Sequence, residues 1–130
     1  MAEAAARPTI LVVDDDRLVQ VMLADLLREG GFASISAANG REALETCQRA
    51  RPNLILLDIT MPEMDGIETC RRLKGNPDTA PIPVLALTTH DEPSTVFAMM
   101  EAGALLYLTK PVASERLLSA INLALSISGP

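Results

Sequence analysis

Apolar residues fall into two alternating rhythms along this chain. Short unbroken runs such as Ile10 to Val13 and Leu54 to Leu57 are separated by stretches in which apolar residues recur every three or four positions. A compact run bounded by turn formers reads as a strand buried on both faces, and the longer spacing reads as an amphipathic helix. Strands are predicted at Ile10 to Val13, Ser34 to Ala37, Leu54 to Leu57, Val84 to Leu87 and Leu105 to Leu108. Helices are predicted at Arg17 to Arg28, Arg41 to Ala50, Ile67 to Leu73, Ser94 to Ala102 and Ser114 to Ile127. The expected apolar face of the first helix is Leu18, Val21, Met22, Leu26 and Leu27; that of the second is Ala43, Leu44 and Cys47.

Punctuation fits these bounds. Asp16 is a favoured N-cap for the first helix, and Gly30 and Gly31 stop it. Asn39-Gly40 turns the chain into the second helix, Pro52 ends that helix, and Asp65-Gly66 reads as a turn. Strictly alternating strands and helices belong to a parallel sheet covered on both faces. The predicted fold is therefore α/β, a flavodoxin-like doubly wound five-stranded parallel sheet with strand order 2-1-3-4-5 and five helices. Leu105 and Leu106 are expected as ordinary strand residues buried on both faces. Residues 1–8 are expected to form a flexible tail, 9–127 one domain, and 128–130 a tail or the start of a linker.

Composition narrows the class. A chain of 130 residues, 48% hydrophobic and 22% charged, matches one globular domain. Its longest apolar run is far short of the ~20 residues that cross a bilayer, and its first residues lack a secretory apolar core, so a cytoplasmic location is expected. Eleven basic residues against seventeen acidic give a net charge of -6 with no basic cluster, so no direct nucleic-acid binding by this segment is expected. Cys47 and Cys70 lack metal or redox spacing and read as reduced core thiols.

The chemistry lies where the apolar runs end. Asp14 and Asp15 end the first strand, Asp58 the third and Thr88 the fourth, and Lys110 follows the fifth. In a doubly wound sheet, ligands bind beyond the carboxyl ends of the strands at the point where strand order reverses, so these residues should converge. Carboxylates gathered there repel one another unless a cation neutralises them, and Mg2+, with Mn2+ as the alternative, suits such oxygen ligands. Asp15 and Asp58 are the expected direct ligands, with Asp14 acting through water. An aspartate in that setting can accept a phosphoryl group if charge and geometry are prepared. Asp58 is the candidate nucleophile, Lys110 the fixed positive charge and Thr88 a hydroxyl donor, with backbone amides near Ile59, Thr60 and Thr89 completing a cage.

The segments ILVVDDD, LLDITMPEMDG, ALTT and GALLYLTKP, in that order, together resemble the signature set of bacterial two-component response-regulator receiver domains over about Thr9 to Ile127. The resemblance implies a phospho-accepting Asp58, an acidic metal pair at Asp14 and Asp15 with the backbone carbonyl of Thr60 as a further ligand, a switch threonine at Thr88, a switch aromatic at Tyr107 and an essential Lys110. It implies a cis peptide bond between Lys110 and Pro111. It also implies a histidine kinase or histidine phosphotransfer protein as donor, and a downstream protein or covalently linked output domain as target. Phosphorylation would alter the face made by helix four, strand five and helix five. Three positions carry finer expectations. Thr89 stands where a smaller residue is common and should narrow access to Asp58, while Thr60 and His90 should set the phosphoryl lifetime. Leu105 and Leu106 replace the acidic residues many relatives carry there, which argues against their charge-paired dimer.

Two other classes stay open at this point. A phosphoaspartyl hydrolase of the haloacid dehalogenase type also uses an aspartate, Mg2+, a threonine and a lysine, but its nucleophile follows the first strand. A constitutive interaction module would use the surface without phosphate. Plainer readings also apply residue by residue: Tyr107 as a core aromatic, Glu63 and Asp65 as solvated acids in the loop shaped by Pro62 and Gly66, and His90 as a residue lining the pocket entrance.

Overall fold

The computed structural model describes residues 7–60, 65–89 and 92–128. Its strands are β1 (Thr9–Val13), β2 (Ala33–Ala37), β3 (Leu54–Asp58), β4 (Val84–Thr88) and β5 (Leu106–Thr109). The helices are α1 (Arg17–Glu29), α2 (Gly40–Ala50), α3 (Gly66–Lys74), α4 (Pro93–Glu101) and α5 (Ser114–Ser128). The strands form one parallel sheet in the order β2-β1-β3-β4-β5, with registers such as Val13 opposite Leu57 and Asp58 opposite Leu87. The fold is flavodoxin-like, as the alternation predicts.

Side chains alternate between the faces of a strand, and here that alternation divides the core in two. Ile10, Val12, Leu54, Leu56, Leu85 and Leu87 pack with Leu27 of α1 and Leu117 and Ile121 of α5. Leu11, Val13, Ile55, Leu57, Val84 and Ala86 pack with Ala43 and Cys47 of α2, Cys70 and Leu73 of α3, and Met99 of α4. Leu54 to Leu57 are fully buried, which is why β3 carries no polar residue before Asp58. Burying each such leucine contributes about 1.5–3 kcal/mol. Cys47 and Cys70 are free and buried.

Local signals explain the helix ends. The Asp16 side chain accepts the Leu18 N–H, and Gly31 adopts φ 92° just beyond the α1 C-cap. Asn39 accepts the Glu42 N–H while Glu42 accepts the Ala38 N–H, a reciprocal arrangement that satisfies two orphan donors at the start of α2. Asp65 is more than a turn residue: it caps α3 by accepting the Glu68 N–H at 2.9 Å.

Two expectations are corrected. Leu18, Val21 and Met22 are not on the buried face of α1 but are 65%, 47% and 61% exposed, because the stripe facing the sheet passes through Gln20, Leu23 and Leu27. Leu105 and Leu106 are half-buried rather than sealed on both faces, because β5 is an edge strand with a neighbour only on its β4 side. Pro62, Glu63 and His90 lie outside the described residues, as does most of the expected tail over 1–8 and its counterpart at 129–130.

Candidate functional site

Two neighbouring inner strands of the sheet, β1 and β3, lead into acids. Asp14 follows β1 and is 2% exposed; Asp58 closes β3 and is 7% exposed; Asp15 is exposed at the rim. One carboxylate oxygen from each of these three lies within 4.8 Å of the others. Lys110, arriving from β5, sets its Nζ 3.2 Å from Asp14 Oδ2 and 3.4 Å from Asp58 Oδ1. Its backbone N–H donates to the Thr88 carbonyl at 2.7 Å, which fixes the β5 turn against the end of β4. Thr88 itself is fully buried. The Lys110-Pro111 peptide bond is cis.

Electrostatics set this cluster apart from a solvated group of acids. Burial pushes the Asp58 carboxyl above its ordinary value; Lys110 and the Thr60 N–H oppose that rise and Asp14 adds to it, leaving a net increase. At Lys110, burial acts downward, but Asp58 and Asp14 outweigh it and hold the ammonium above its ordinary value. One ammonium thus lies within ion-pair distance of two carboxylates, with a third carboxylate grouped beside them. The hard oxygen donors, their close grouping and their uncompensated charge fit an Mg2+ or Mn2+ site.

The backbone around Asp58 is tightly held. The Thr60 N–H points at Asp58 Oδ1, 3.3 Å away. The Ile59 N–H, expected as part of a phosphate cage, instead donates to the Leu87 carbonyl at 3.0 Å, because the β3–β4 ladder continues one residue past the strand. Gly66 donates to the Ile59 carbonyl, and a Cβ there would lie 2.5 Å from the Asp58 carbonyl oxygen. Only a residue without a side chain lets α3 start this close to Asp58.

Beside the acids, a cavity of about 410 Å3 is lined by Val19, Met22 and Leu23 of α1, by Leu87 and Thr89, and by Lys110, Pro111 and Val112. Thr89 is exposed and borders this cavity; Thr60 is exposed as well. Tyr107 is 38% exposed on β5, which excludes the core-aromatic reading. His90 lies outside the described residues.

The family model for the response regulator receiver domain matches residues 10–122. The chain belongs to that family. Response regulator MprA of Mycolicibacterium vanbaalenii is 42% identical over 121 residues, covering 93% of this chain and 52% of the relative. This receiver therefore spans about half the length of the curated relatives it matches. Among solved structures, the chemotaxis protein CheY4 of Vibrio cholerae superposes with a TM-score of 0.86 at 32% identity, covering 91% of this chain and 98% of that one. The receiver domain of a signal transduction histidine kinase from Syntrophus aciditrophicus is similar at 40% identity and TM-score 0.85, covering 92% and 90%. As a receiver, the chain is a module of phosphorylation-dependent signalling.

The sequence reading missed Gln20. This α1 residue is 7% exposed, and its amide donates to the Asp14 carbonyl at 2.6 Å. The signal was there: position 20 precedes Leu23 by three and Leu27 by seven, the spacing of an inward stripe.

Proposed function

We propose that this receiver accepts a phosphoryl group on Asp58 from a histidine kinase or histidine phosphotransfer protein and acts as a reversible switch. The observation that carries this reading is a buried carboxylate at the open end of β3 with an ammonium 3.4 Å away and two further acids beside it. An Asp58 oxygen forms the new O–P bond as the P–N bond to the donor histidine breaks; the imidazole leaves with the electron pair and takes up a proton. Asp58 must be ionised to attack, so the Lys110 charge and the Thr60 N–H act against the burial that favours its protonated form.

Asp14, Asp15 and Asp58, with the Thr60 carbonyl, are the groups we assign to hold Mg2+, Mn2+ being the alternative. Bound there, the cation supplies charge neutralisation for the acids and the incoming phosphoryl oxygens. Lys110 and the Thr88 hydroxyl then hold those oxygens. Thr60, Thr89 and His90 control access and lifetime. The chemistry is one transfer and its slow reversal by water, not the turnover of a hydrolase.

Output follows from added charge. A phosphoryl group brings roughly -1.5 to -2 charge and three acceptor oxygens. Thr88 moving toward it vacates space for Tyr107 to turn inward, remodelling the face of α4, β5 and α5. Moving a two-state element from 1:99 to 99:1 needs about 5.5 kcal/mol, within reach of a few charge-assisted hydrogen bonds of roughly 1.5–3 kcal/mol each. The exposed Met22, which lines the apolar cavity bordered by Lys110, together with the exposed Leu18 and Val21 on the same helix, suits docking of a donor's helix. The target is a downstream protein or a linked output domain; MprA's additional length supports the second form. This segment itself does not bind nucleic acid. No described helix is long and apolar enough to cross a membrane, and a cytoplasmic location belongs to this reading.

Intact mass after incubation with Mg2+ and acetyl phosphate, beside Asp58→Asn, tests the function. One phosphoryl adduct, lost in the variant, is expected. No adduct with acetyl phosphate or phosphoramidate would indicate a constitutive interaction module, and steady phosphomonoester turnover a hydrolase.

A further inference from the structure

We propose that Gln20 is a positioning residue for the acid pair: from α1 its amide grips the Asp14 carbonyl and so fixes the peptide that joins Asp14 to Asp15. This role rests on the phosphoryl-accepting reading of the same site and extends it by one residue.

Gln20 interrupts the inward stripe of α1 between the sheet and Leu23 and Leu27, where burial alone would favour leucine. Burying an amide is unfavourable unless its hydrogen bonds are made. Its Nε2 donates to Asp14 O at 2.6 Å and reaches Ala37 O at 3.4 Å. The Asp14 carbonyl lies just past Val13, the last β1 residue paired with β2 and β3, and is beyond the ladder.

Every hydrogen-bonding part of Asp14 is thereby held. Its N–H donates to Ala37 O at 3.1 Å, its carbonyl accepts from Gln20, its Oδ1 accepts the Asp16 N–H at 2.9 Å, and its Oδ2 faces Lys110. Since the peptide unit is planar, fixing the Asp14 carbonyl also fixes the direction of the Asp15 N–H and the start of the Asp15 residue. Asp15 is exposed at the rim, and no short side-chain bond in the described structure orients it. The amide of Gln20 therefore sets how the two acids are presented together.

Groups that orient metal ligands from behind typically change metal affinity 10–100-fold when removed. Gln20→Met keeps the volume and removes the donor. We expect its Mg2+ dissociation constant, followed by backbone amide shifts in NMR, to rise about tenfold or more. Adduct formation from acetyl phosphate should slow at limiting Mg2+, and the deficit should shrink as Mg2+ is raised. An unchanged dissociation constant with a lowered metal-free Tm would show that Gln20 only ties α1 to β1 and β2, and would overturn the proposal. If Gln20→Met does not fold, wild-type protein decides: the Gln20 side-chain amide signals should move along the Mg2+ titration with the same midpoint as the Asp15 amide, and immobile signals overturn it. Wild-type protein that neither binds Mg2+ nor takes a phosphoryl group overturns the underlying function as well, a result visible before any substitution.

Discussion

Lys110 stands between Asp14 and Asp58, its Nζ 3.2 Å from one carboxylate and 3.4 Å from the other, so a single cation serves two buried anions. Removing it leaves those anions facing each other. Breaking a buried pair costs about 3–5 kcal/mol, and the Lys110 side chain is 25% exposed, so water recovers part of that. Lys110→Met should lose about 2 kcal/mol of metal-free stability by urea unfolding. Added Mg2+ should narrow the gap, and a gap that is the same with and without Mg2+ would refute the shared-cation account.

Asp58→Asn should gain stability where Lys110→Met loses it. Burial raises the Asp58 carboxyl above the ordinary 3.8, with Asp14 adding to the rise against Lys110. The native state therefore holds a proton that the unfolded chain has released, and stability falls as pH rises from about 4 through the raised value. Metal-free Asp58→Asn should lack that decline and melt higher at neutral pH. Mg2+ should raise the wild-type Tm and leave the variant nearly unmoved, through mass action on a site that has lost a ligand.

Gly66 lets α3 start against the Asp58 backbone by its lack of a side chain. In Gly66→Ala the new Cβ would meet the Asp58 carbonyl oxygen at 2.5 Å and the Ile59 Cα at 2.6 Å, both backbone atoms that cannot swing away. A loss of about 1–3 kcal/mol and slower phosphoryl uptake are expected. Gly75→Ala is the control: its nearest contact would be 3.4 Å and its φ is -81°, so stability should change little or rise by up to about 1 kcal/mol.

Alkaline pH should weaken the fold through Cys47. Burial pushes this thiol up to about 11 from its ordinary 9.0. Between those values the unfolded chain releases a proton that the native state keeps, so stability declines with rising pH, by up to roughly 3 kcal/mol at about 1.4 kcal/mol per pH unit. Cys47→Ala should flatten this part of the urea-midpoint profile. Native Cys47 should also resist thiol reagents until the protein unfolds.

Tyr107 is the chain's one tyrosine and there is no tryptophan, so tyrosine emission reports a single position. At 38% exposure its ring is open to a collisional quencher. Beryllofluoride with Mg2+, standing in for the phosphoryl group, should reduce acrylamide quenching if the ring turns inward. Thr88→Ala should abolish the change, and quenching that beryllofluoride leaves unaltered would remove Tyr107 from the switch.

The sheet was legible because its strands are buried on both sides and their apolar runs are unbroken. The edge strands β2 and β5 were the exceptions: both are only partly buried because one flank has no strand to pair with, and β5 begins at Leu106 rather than Leu105. The face of α1 was misread for a related reason: Leu18, Val21 and Met22 have the hydrophobicity of a core stripe, yet the phase that meets the sheet runs through Gln20. Hydrophobicity chose one phase and packing chose the other, and the residue that marks the difference is the polar one behind the acids. Asp14, Asp58 and Lys110 were readable because strand ends in this architecture all point to one edge. The hydrogen bonds between them, and the Ile59 N–H committed to the sheet, depend on register that one sequence does not display.

Lys110 and Asp14 are 96 positions apart, and Asp58 lies between them on a third strand. No fragment holding fewer than all three strands contains the cluster. A chain without a paired β5 would keep Asp14, Asp15 and Asp58 together but would have no ammonium between the two buried carboxylates. The closure of the sheet at its far edge and the charge balance at its open end are thus joined through the same few atoms.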